Sequence, residues 1–186
     1  MSGIAEPSVL IVATSLDASS RSFVLAQEMQ KILTDRRVNA ALIDLRTCSI
    51  PMCDGSDTED DEVLRLKALF RENTHLLFAV PVYNWDVNAA AKNVVEWMGG
   101  AELNGKTVGF LCAAGGKSSY MSVMSFANSL MLDFRCWIVP RFVYATGSDF
   151  DSSGAVNSDL HDRLIRLSDE MFERLPKGLL PPYPAT

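Results

Sequence analysis

Short apolar segments alternate strictly with amphipathic ones along this chain of 186 residues. The apolar segments are 8–14, 38–45, 75–82, 107–114 and 136–144. Three of them are nearly continuous apolar runs, which is typical of strands that are covered on both faces. The segments that follow them carry apolar residues at helical spacing, at 22–36, 60–72, 88–98, 119–134 and 158–174. This alternation predicts a parallel sheet with helices on both faces, in a doubly wound α/β topology.

Two residue positions near the end of the chain indicate where the fifth strand ends and where the last helix begins. Pro140 falls inside the fifth apolar segment, which indicates a strand end or an edge position. Ser158 or Asp159 is placed to cap the last helix. We therefore expect one domain over 1–174, followed by a proline-rich tail over 175–186 that packs extended on its own subunit or on a neighbour.

Charge and cysteine content exclude several classes of protein. The chain has 17 Lys and Arg against 23 Asp and Glu, and no basic cluster, so we expect no binding to nucleic acid. No apolar run approaches the roughly 20 residues of a membrane span, and the first residues lack the basic start of a secretory signal. The four cysteines are scattered, without the spacing of a zinc site. These features predict a cytoplasmic protein with reduced thiols and no metal site.

Ligands of an open α/β sheet bind beyond the carboxyl ends of its strands, where the strand order reverses. The loop after the first strand, within 13–26, is rich in hydroxyl groups and leads directly into a helix. Hydroxyls and the N–H groups of a helix start favour a phosphate site, although the loop lacks the G-x-G-x-x-G of a dinucleotide fold. The alternative interpretation is that these serines only cap the helix and solvate the loop.

The loops after the third and fourth strands also carry candidate residues. Tyr83, Asn84 and Trp85 follow the third strand, where aromatic rings beside an amide suit a planar heterocycle, unless they simply pack on neighbouring loops. Gly115 and Gly116 follow the fourth strand and would let a ligand approach the backbone. The sequence lacks the glycine of a P-loop before Gly116, the G-x-S-x-G of a hydrolase and the strand-end aspartate of a receiver domain.

Three motifs together resemble the NADPH-dependent FMN reductase family, a branch of the flavodoxin-like fold. They are T-S-L-D-A-S-S-R-S at 14–22, P-V-Y-N-W-D-V-N-A-A-A-K-N at 81–93, and the pair Gly115–Gly116. The second motif is the most specific of them, and the resemblance spans about residues 8–140. It implies a three-layer flavodoxin-like domain with a five-stranded parallel sheet in the order 2-1-3-4-5.

The resemblance also implies a set of FMN-binding residues. The phosphate would be held by Ser15, Ser20, Arg21 and Ser22. The isoalloxazine and its ribityl end would be lined by Pro81, Val82, Tyr83, Asn84 and Trp85, with Gly115 and Gly116 against the ring.

The chain departs from the family pattern at several of these positions. Thr14 replaces a glycine, and Asp17 replaces an arginine, which puts a negative charge near the expected phosphate. Arg21 would compensate only if it folds back into the loop. Trp85 and Asp86 replace a small Gly-Ser pair, so that the indole would either cap the flavin or narrow the substrate pocket.

The implied function is that of an oxidoreductase with bound FMN and with NADPH or NADH as co-substrate. Electrons would pass to a small-molecule acceptor: a quinone, a flavin, an azo compound or a metal ion. Because the flavin carries such chemistry, no catalytic side chain is predicted. The alternatives are a flavodoxin-like FMN-binding or electron-transfer module without reductase activity, and a relative that has lost its flavin. The resemblance further implies a homodimer or homotetramer.

Overall fold

The sheet is described by a computed structural model, which covers residues 7–56 and 58–173. Its strands are β1 (Ser8–Ala13), β2 (Asn39–Asp44), β3 (His75–Tyr83), β4 (Asp86–Val87), β5 (Thr107–Ala113), β6 (Trp137–Ile138) and β7 (Val143–Ala145). The order across the sheet is β2-β1-β3-β5-β6, all parallel, and β7 pairs with β5 further along the same edge. Only β4 is antiparallel, as the second strand of a hairpin with β3. The predicted flavodoxin-like strand order is therefore confirmed, with β6 and β7 together in the fifth place.

Helices cover both faces of this sheet. They are α1 (Arg21–Asp35), α2 (Asp61–Glu72), α3 (Ala89–Trp97), α4 (Gly100–Leu103), α5 (Met124–Phe134) and α6 (Ser158–Glu173). One apolar core lies between the sheet and α1 with α6, and it includes Ile11, Leu25 and Leu164. The other core lies under α2, α3, α4 and α5, and a group of phenylalanine rings is at its centre. Alternate residues of β1, β3 and β5 point into opposite cores, which explains why these strands are apolar throughout.

The fifth strand is not continuous, unlike the predicted segment 136–144. Both β6 and β7 pair with β5, but residues 139–142 between them leave the ladder after Val139. Pro140 lies in this interruption and has no N–H to donate to β5. The chain therefore leaves the edge of the sheet and returns to it within a few residues.

Two helix starts also differ from the prediction. Helix α5 begins at Met124 rather than at 119, because Ser122 donates to the carbonyl of Ser119 and Ser119 bonds the hydroxyl of Tyr144 at 2.7 Å. The cap of α6 is Asn157, whose side chain accepts the N–H of Leu160 at 2.9 Å. The proline-rich segment 175–186 lies outside the described residues.

Candidate functional site

A cavity of about 380 Å³ lies at the carboxyl edge of the sheet, where β1, β3 and β5 end. It is lined by Ser15, Asp17, Ser19, Ser20, Arg21, Ser22, Pro81, Val82, Tyr83, Ala113, Ala114 and Gly115. The structure thus brings eight of the eleven sequence-predicted site residues into one concave surface. Asn84 and Gly116 are next to lining residues in sequence, and Trp85 is two residues beyond Tyr83, but none of the three lines the cavity itself.

The hydroxyl groups of the first loop are buried at the start of α1. Ser20 is the N-cap of this helix, and its Oγ accepts the N–H of Phe23 at 3.2 Å. The same Oγ lies 2.9 Å from Oγ of Ser22, and Ser15, Ser20 and Ser22 are all buried. The capping interpretation is therefore correct for Ser20, but it does not exclude a ligand. The first N–H groups of α1 have no partner within the helix, so this end of the cavity suits an anion.

Three charged residues set the potential at this end of the cavity. Asp17 and Arg21 both line it, but the Arg21 guanidinium lies beside Gly147 and 5.8 Å from the ring centroid of Phe150, in the loop after β7. The Asp17 carboxylate accepts two hydrogen bonds from Ser19, at 2.8 and 2.9 Å, and these lower its pKa. Arg46 lies behind the loop and donates to the carbonyl of Ala18 at 3.1 Å. The Ser19 hydrogen bonds and the charge of Arg46 favour the ionised form of Asp17, and Arg21 in the cavity wall is the positive group that offsets its repulsion of an anionic ligand.

Arg46 is a residue that the sequence reasoning did not identify. It follows β2, and its guanidinium makes hydrogen bonds of 2.6 to 2.9 Å to the carboxylate of Asp44. It also lies 4.1 Å from the ring centroid of Phe23, a cation–π contact. The hydrogen bonds from Arg46 lower the pKa of Asp44. The contacts of Arg46 with the Ala18 carbonyl and the Phe23 ring hold the first loop against α1. The only sequence signal is a charged pair, Asp44 and Arg46, at the end of a strand.

The third loop is a tight hairpin between β3 and β4. Val82 pairs with Val87, and Tyr83 pairs with Asp86, so that Asn84 and Trp85 form a two-residue turn. Both turn residues have positive φ, 50° and 66°, as a type I′ turn requires. A left-handed backbone conformation is energetically unfavourable for a residue that has a Cβ atom, such as Trp85. The side chain is largely exposed, with 65% of the residue surface accessible to solvent. Its indole stands at the tip of the hairpin rather than in the wall of the cavity.

A buried pair of polar side chains ties the first loop to the third. Thr14 Oγ1 donates to Asn88 Oδ1 at 2.7 Å, and Asn88 Nδ2 donates to the carbonyl of Thr14 at 2.6 Å. Asn88 precedes α3 as its N-cap but makes no side-chain cap to that helix. The sequence showed Thr14 only as a departure from the family glycine, and nothing in it pointed to Asn88 as its partner.

The fourth loop leaves open space above its two glycines. A Cβ atom on Gly115 or Gly116 would meet no atom within 4 Å, and neither residue has positive φ. The Tyr144 hydroxyl donates to the carbonyl of Gly116 and so holds this loop in place. The fold itself therefore does not require glycine here, whereas a ligand lying on the backbone of Gly115 would.

Two other kinds of site are not found in the described ranges. Residues 7–56 and 58–173 contain no group of three or more His, Cys, Asp or Glu placed to hold a metal ion. Among the helices of this part of the chain, none is both long enough and apolar enough to cross a membrane.

Comparison with known proteins assigns the family. Residues 7–151 match the model of the family described as NADPH-dependent FMN reductase. An NAD(P)H-dependent FAD/FMN reductase of Geobacillus thermodenitrificans is 21% identical over 137 residues, which are 72% of this chain and 74% of that protein. An NADPH azoreductase of Bacillus sp. strain OY1-2 is 22% identical over 134 residues, 71% of this chain and 75% of that protein.

Solved structures show the same fold at low sequence identity. The apo form of the NADH:FMN oxidoreductase EMOB superposes with a TM-score of 0.76 at 16% identity, over 89% of this chain and 88% of that one. FerB from Paracoccus denitrificans, a flavoenzyme NAD(P)H:(acceptor) oxidoreductase, gives 0.71 at 18% identity, over 90% and 98%. The matched residues extend from β1 to a point six residues beyond β7 and include all three motifs. The chain therefore belongs to the NADPH-dependent FMN reductase family, as an NAD(P)H-dependent oxidoreductase with FMN as its cofactor.

Proposed function

We propose that the cavity at the carboxyl edge of the sheet binds FMN, and that the protein passes electrons from NAD(P)H to a small-molecule acceptor. The acceptor would be a quinone, a free flavin, an azo compound or a metal ion. With a quinone, one NAD(P)H and one proton are consumed, and NAD(P)⁺ and the hydroquinone are formed. The family assignment supports the FMN-dependent reduction, and the choice of acceptors is our proposal.

The observation that carries this proposal is the pairing of two chemically different ends in one cavity. One end presents buried hydroxyls, the start of α1 and Arg21, which suit a phosphate group. The other end presents Pro81, Val82 and the bare backbone of Gly115, which suit a flat ring. A Cβ on Gly115 would project into free space, so the residues present fit a flavin that lies against this backbone.

The chain's own residues would bind and orient the cofactor rather than transfer protons. Ser15, Ser20, Ser22 and Arg21 would hold the phosphate, and Tyr83 would flank the ring with its half-exposed side chain. Asn84, Trp85 and Gly116 would complete the site from the adjoining turns, although they do not line the cavity. FMN, when bound, supplies the two-electron redox chemistry, so no side-chain acid or base is needed.

The openness of the site supports a broad range of acceptors. Trp85 and Tyr83 project from the β3–β4 hairpin with large exposed surfaces, and both offer a face on which a planar acceptor could stack. Relatives are named for different acceptors: one is an NADPH azoreductase, and another an NAD(P)H:(acceptor) oxidoreductase. We therefore propose planar aromatic acceptors, quinones and azo compounds above all.

We also propose a homodimer or homotetramer in the cytoplasm. Exposed apolar side chains on and beside α5 support self-association: Met121, Met124, Met131, Leu132 and Trp137. All four cysteines are free thiols, in keeping with a reducing compartment.

The visible spectrum of the purified protein, before and after addition of FMN, tests the proposal. We expect flavin bands near ~450 nm that survive desalting, and bleaching of those bands by NADPH under anaerobic conditions. A yellow protein inert to NADPH would favour an electron carrier. A protein that neither retains FMN nor quenches its fluorescence on titration would contradict the proposed function.

A further inference from the structure

Among the described residues that line the candidate flavin cavity, Asp17 is the only acidic one. It belongs to the hydroxyl-rich first loop, at the end of the cavity that suits a phosphate group. The other titratable groups of this wall are the guanidinium of Arg21 and the phenol of Tyr83. The phosphate end therefore carries one negative and one positive side chain, which leaves no net side-chain charge to balance a phosphate with two charges.

The hydrogen bonds that Asp17 accepts fall on one of its two carboxylate oxygens. Oδ1 accepts the N–H of Ser19 at 2.8 Å and its hydroxyl at 2.9 Å. These bonds hold the pKa of Asp17 below its ordinary value, so the carboxylate is ionised throughout the neutral range. No group within residues 7–56 and 58–173 donates to Oδ2. One charged acceptor atom is thus available to a ligand that brings a hydrogen-bond donor.

Arg46 does not cancel the charge of Asp17 in the cavity. Its guanidinium is already paired with the carboxylate of Asp44, through hydrogen bonds of 2.6 to 2.9 Å. It reaches the first loop from outside the cavity, through the carbonyl of Ala18 at 3.1 Å. Arg46 therefore favours the ionised form of Asp17, but it is not one of the groups that a phosphate in the cavity would contact.

Two other loops at this edge of the sheet hold charged side chains. In the loop after β7, beside which the Arg21 guanidinium lies, Asp149 contacts Arg163 at 2.7 Å. In the fourth loop, Lys117 lines a different cavity. The charge that a phosphate carries when bound is therefore decided by Asp17 and Arg21.

A phosphomonoester such as the end of FMN exists in two forms near neutral pH, because its second pKa is about 6. The dianion has only acceptor oxygens, whereas the monoanion keeps one P–OH donor. The Asp17 carboxylate repels the second negative charge and accepts no hydrogen bond from the dianion, but it can accept one from the P–OH group. Arg21 and the start of α1 suit either form.

We propose that Asp17 selects the monoanionic form of the FMN phosphate by accepting its P–OH hydrogen at Oδ2, so that FMN binds more tightly in mild acid than in mild base. This selection rests on the proposed function, because it requires the FMN phosphate at this end of the cavity. Above about pH 6 the free phosphate is mostly dianionic, and binding then takes up one proton from solvent onto the phosphate. Affinity therefore falls as the pH rises, until the bound phosphate also ionises. An arginine at this position, as in the family pattern, would favour the dianion instead.

Asp17→Asn tests this role, because an amide oxygen can still accept both hydrogen bonds from Ser19 while the negative charge is lost. Asp54→Asn is the matched control. Asp54 is exposed, lies outside the cavity, and accepts the same pair of hydrogen bonds from Ser56, at 2.9 and 2.6 Å. FMN and riboflavin are titrated into each protein between pH 5.5 and pH 8 and followed by quenching of flavin fluorescence.

We expect the wild type and Asp54→Asn to bind FMN about tenfold more tightly at pH 5.5 than at pH 8, and Asp17→Asn to lose this dependence. Riboflavin has no phosphate, so its affinity for each of the three proteins should be the same at both pH values. Phosphorus NMR of bound FMN reports the ionisation directly. The bound phosphate should titrate at a higher pH in the wild type than in Asp17→Asn.

Three outcomes would overturn this role of Asp17 and leave the reductase intact. They are an FMN affinity that does not fall with pH, in a protein whose flavin NADPH still bleaches, a fall that survives Asp17→Asn, and a change in riboflavin affinity in Asp17→Asn equal to that for FMN. The last would assign Asp17 to the shape of the loop. A protein that takes up neither flavin at any pH would contradict the proposed function and, with it, the phosphate selection.

Discussion

Thr14 and Asn88 bond each other in both directions across 74 residues of sequence. The hydroxyl of Thr14 donates to the amide oxygen of Asn88, and the amide nitrogen of Asn88 donates to the Thr14 carbonyl. Both residues are buried, so neither group has water as an alternative partner. This pair fixes the loop after β1 relative to the start of α3, and so fixes two walls of the candidate flavin cavity.

Removing either partner should destabilise the fold. Thr14→Val keeps the side-chain shape but leaves the Asn88 oxygen without its donor, and we expect a loss of about 1–3 kcal/mol in the free energy of unfolding. Asn88→Ala should cost a similar amount. Denaturant titration of both variants and of the double variant measures their coupling, and additive effects would show that the two side chains do not interact.

Most of the fold was predictable because it depends on apolar periodicity. The runs that became β1, β3 and β5 are buried on both faces, and no other element class suits them. The interruption of the fifth strand and the late start of α5 were not predictable, because both depend on tertiary contacts. Ser119, for example, leaves the helix to bond Tyr144, which is 25 residues away in sequence.

The residues of the candidate site were predictable where their position in a single loop after a strand is enough to identify them. Ser15, Ser20 and Tyr83 were identified because loops after parallel strands meet at one edge of the sheet. Arg46 and Asn88 were missed because each acts on a loop that is distant in sequence. Nothing in local sequence reports which polar side chain an arginine or an asparagine will meet.

Trp85 should carry a measurable conformational penalty. Its φ of 66° places Cβ close to the backbone, and only glycine avoids this cost. We expect Trp85→Gly to be more stable than Trp85→Ala by about 1 kcal/mol, since both lose the same exposed indole and only alanine keeps the strained Cβ. Equal unfolding midpoints for the two variants would show that the turn does not require positive φ.

Gly115→Ala should separate folding from flavin binding. The added methyl group meets no protein atom within 4 Å, so we expect stability to be unchanged or raised by about 0.4–1 kcal/mol. Because Gly115 lines the candidate flavin cavity, the same methyl group should displace the flavin ring from the backbone. We expect FMN affinity to fall at least about tenfold, which corresponds to a loss of about 1.4 kcal/mol in binding free energy. Fluorescence titration with FMN and thermal unfolding of the same sample measure the two effects. Unaltered FMN affinity would place the ring elsewhere.

Arg21 should recognise the phosphate and not the ring of the cofactor. Arg21→Gln removes a charge-assisted contact, and we expect FMN to bind about tenfold or more weakly. Riboflavin, which has no phosphate, should bind the variant and the wild type alike. Arg166→Gln, an exposed position on α6, is the matched control and should leave both affinities unchanged. An equal loss for FMN and riboflavin would contradict a phosphate role.

His75 should make the fold less stable in mild acid. The residue is buried at the start of β3, with its ring 5.0 Å from that of Phe172, and burial lowers its pKa below the ordinary 6.5. The unfolded chain therefore takes up a proton before the folded chain does. Stability from this group is fully present above pH 6.5 and is lost as the pH falls below it, by up to about 1.4 kcal/mol for each pH unit until the folded form also titrates.

Substitution of each histidine in turn isolates this contribution. We expect His75→Phe to flatten the loss of unfolding free energy between pH 7 and pH 5, measured by urea titration at each pH, while His161→Gln retains it. His161 is the appropriate comparison because it is the other of the chain's two histidines and is partly exposed beside Glu28. A slope that persists in His75→Phe would show that His75 is not the source of the acid sensitivity.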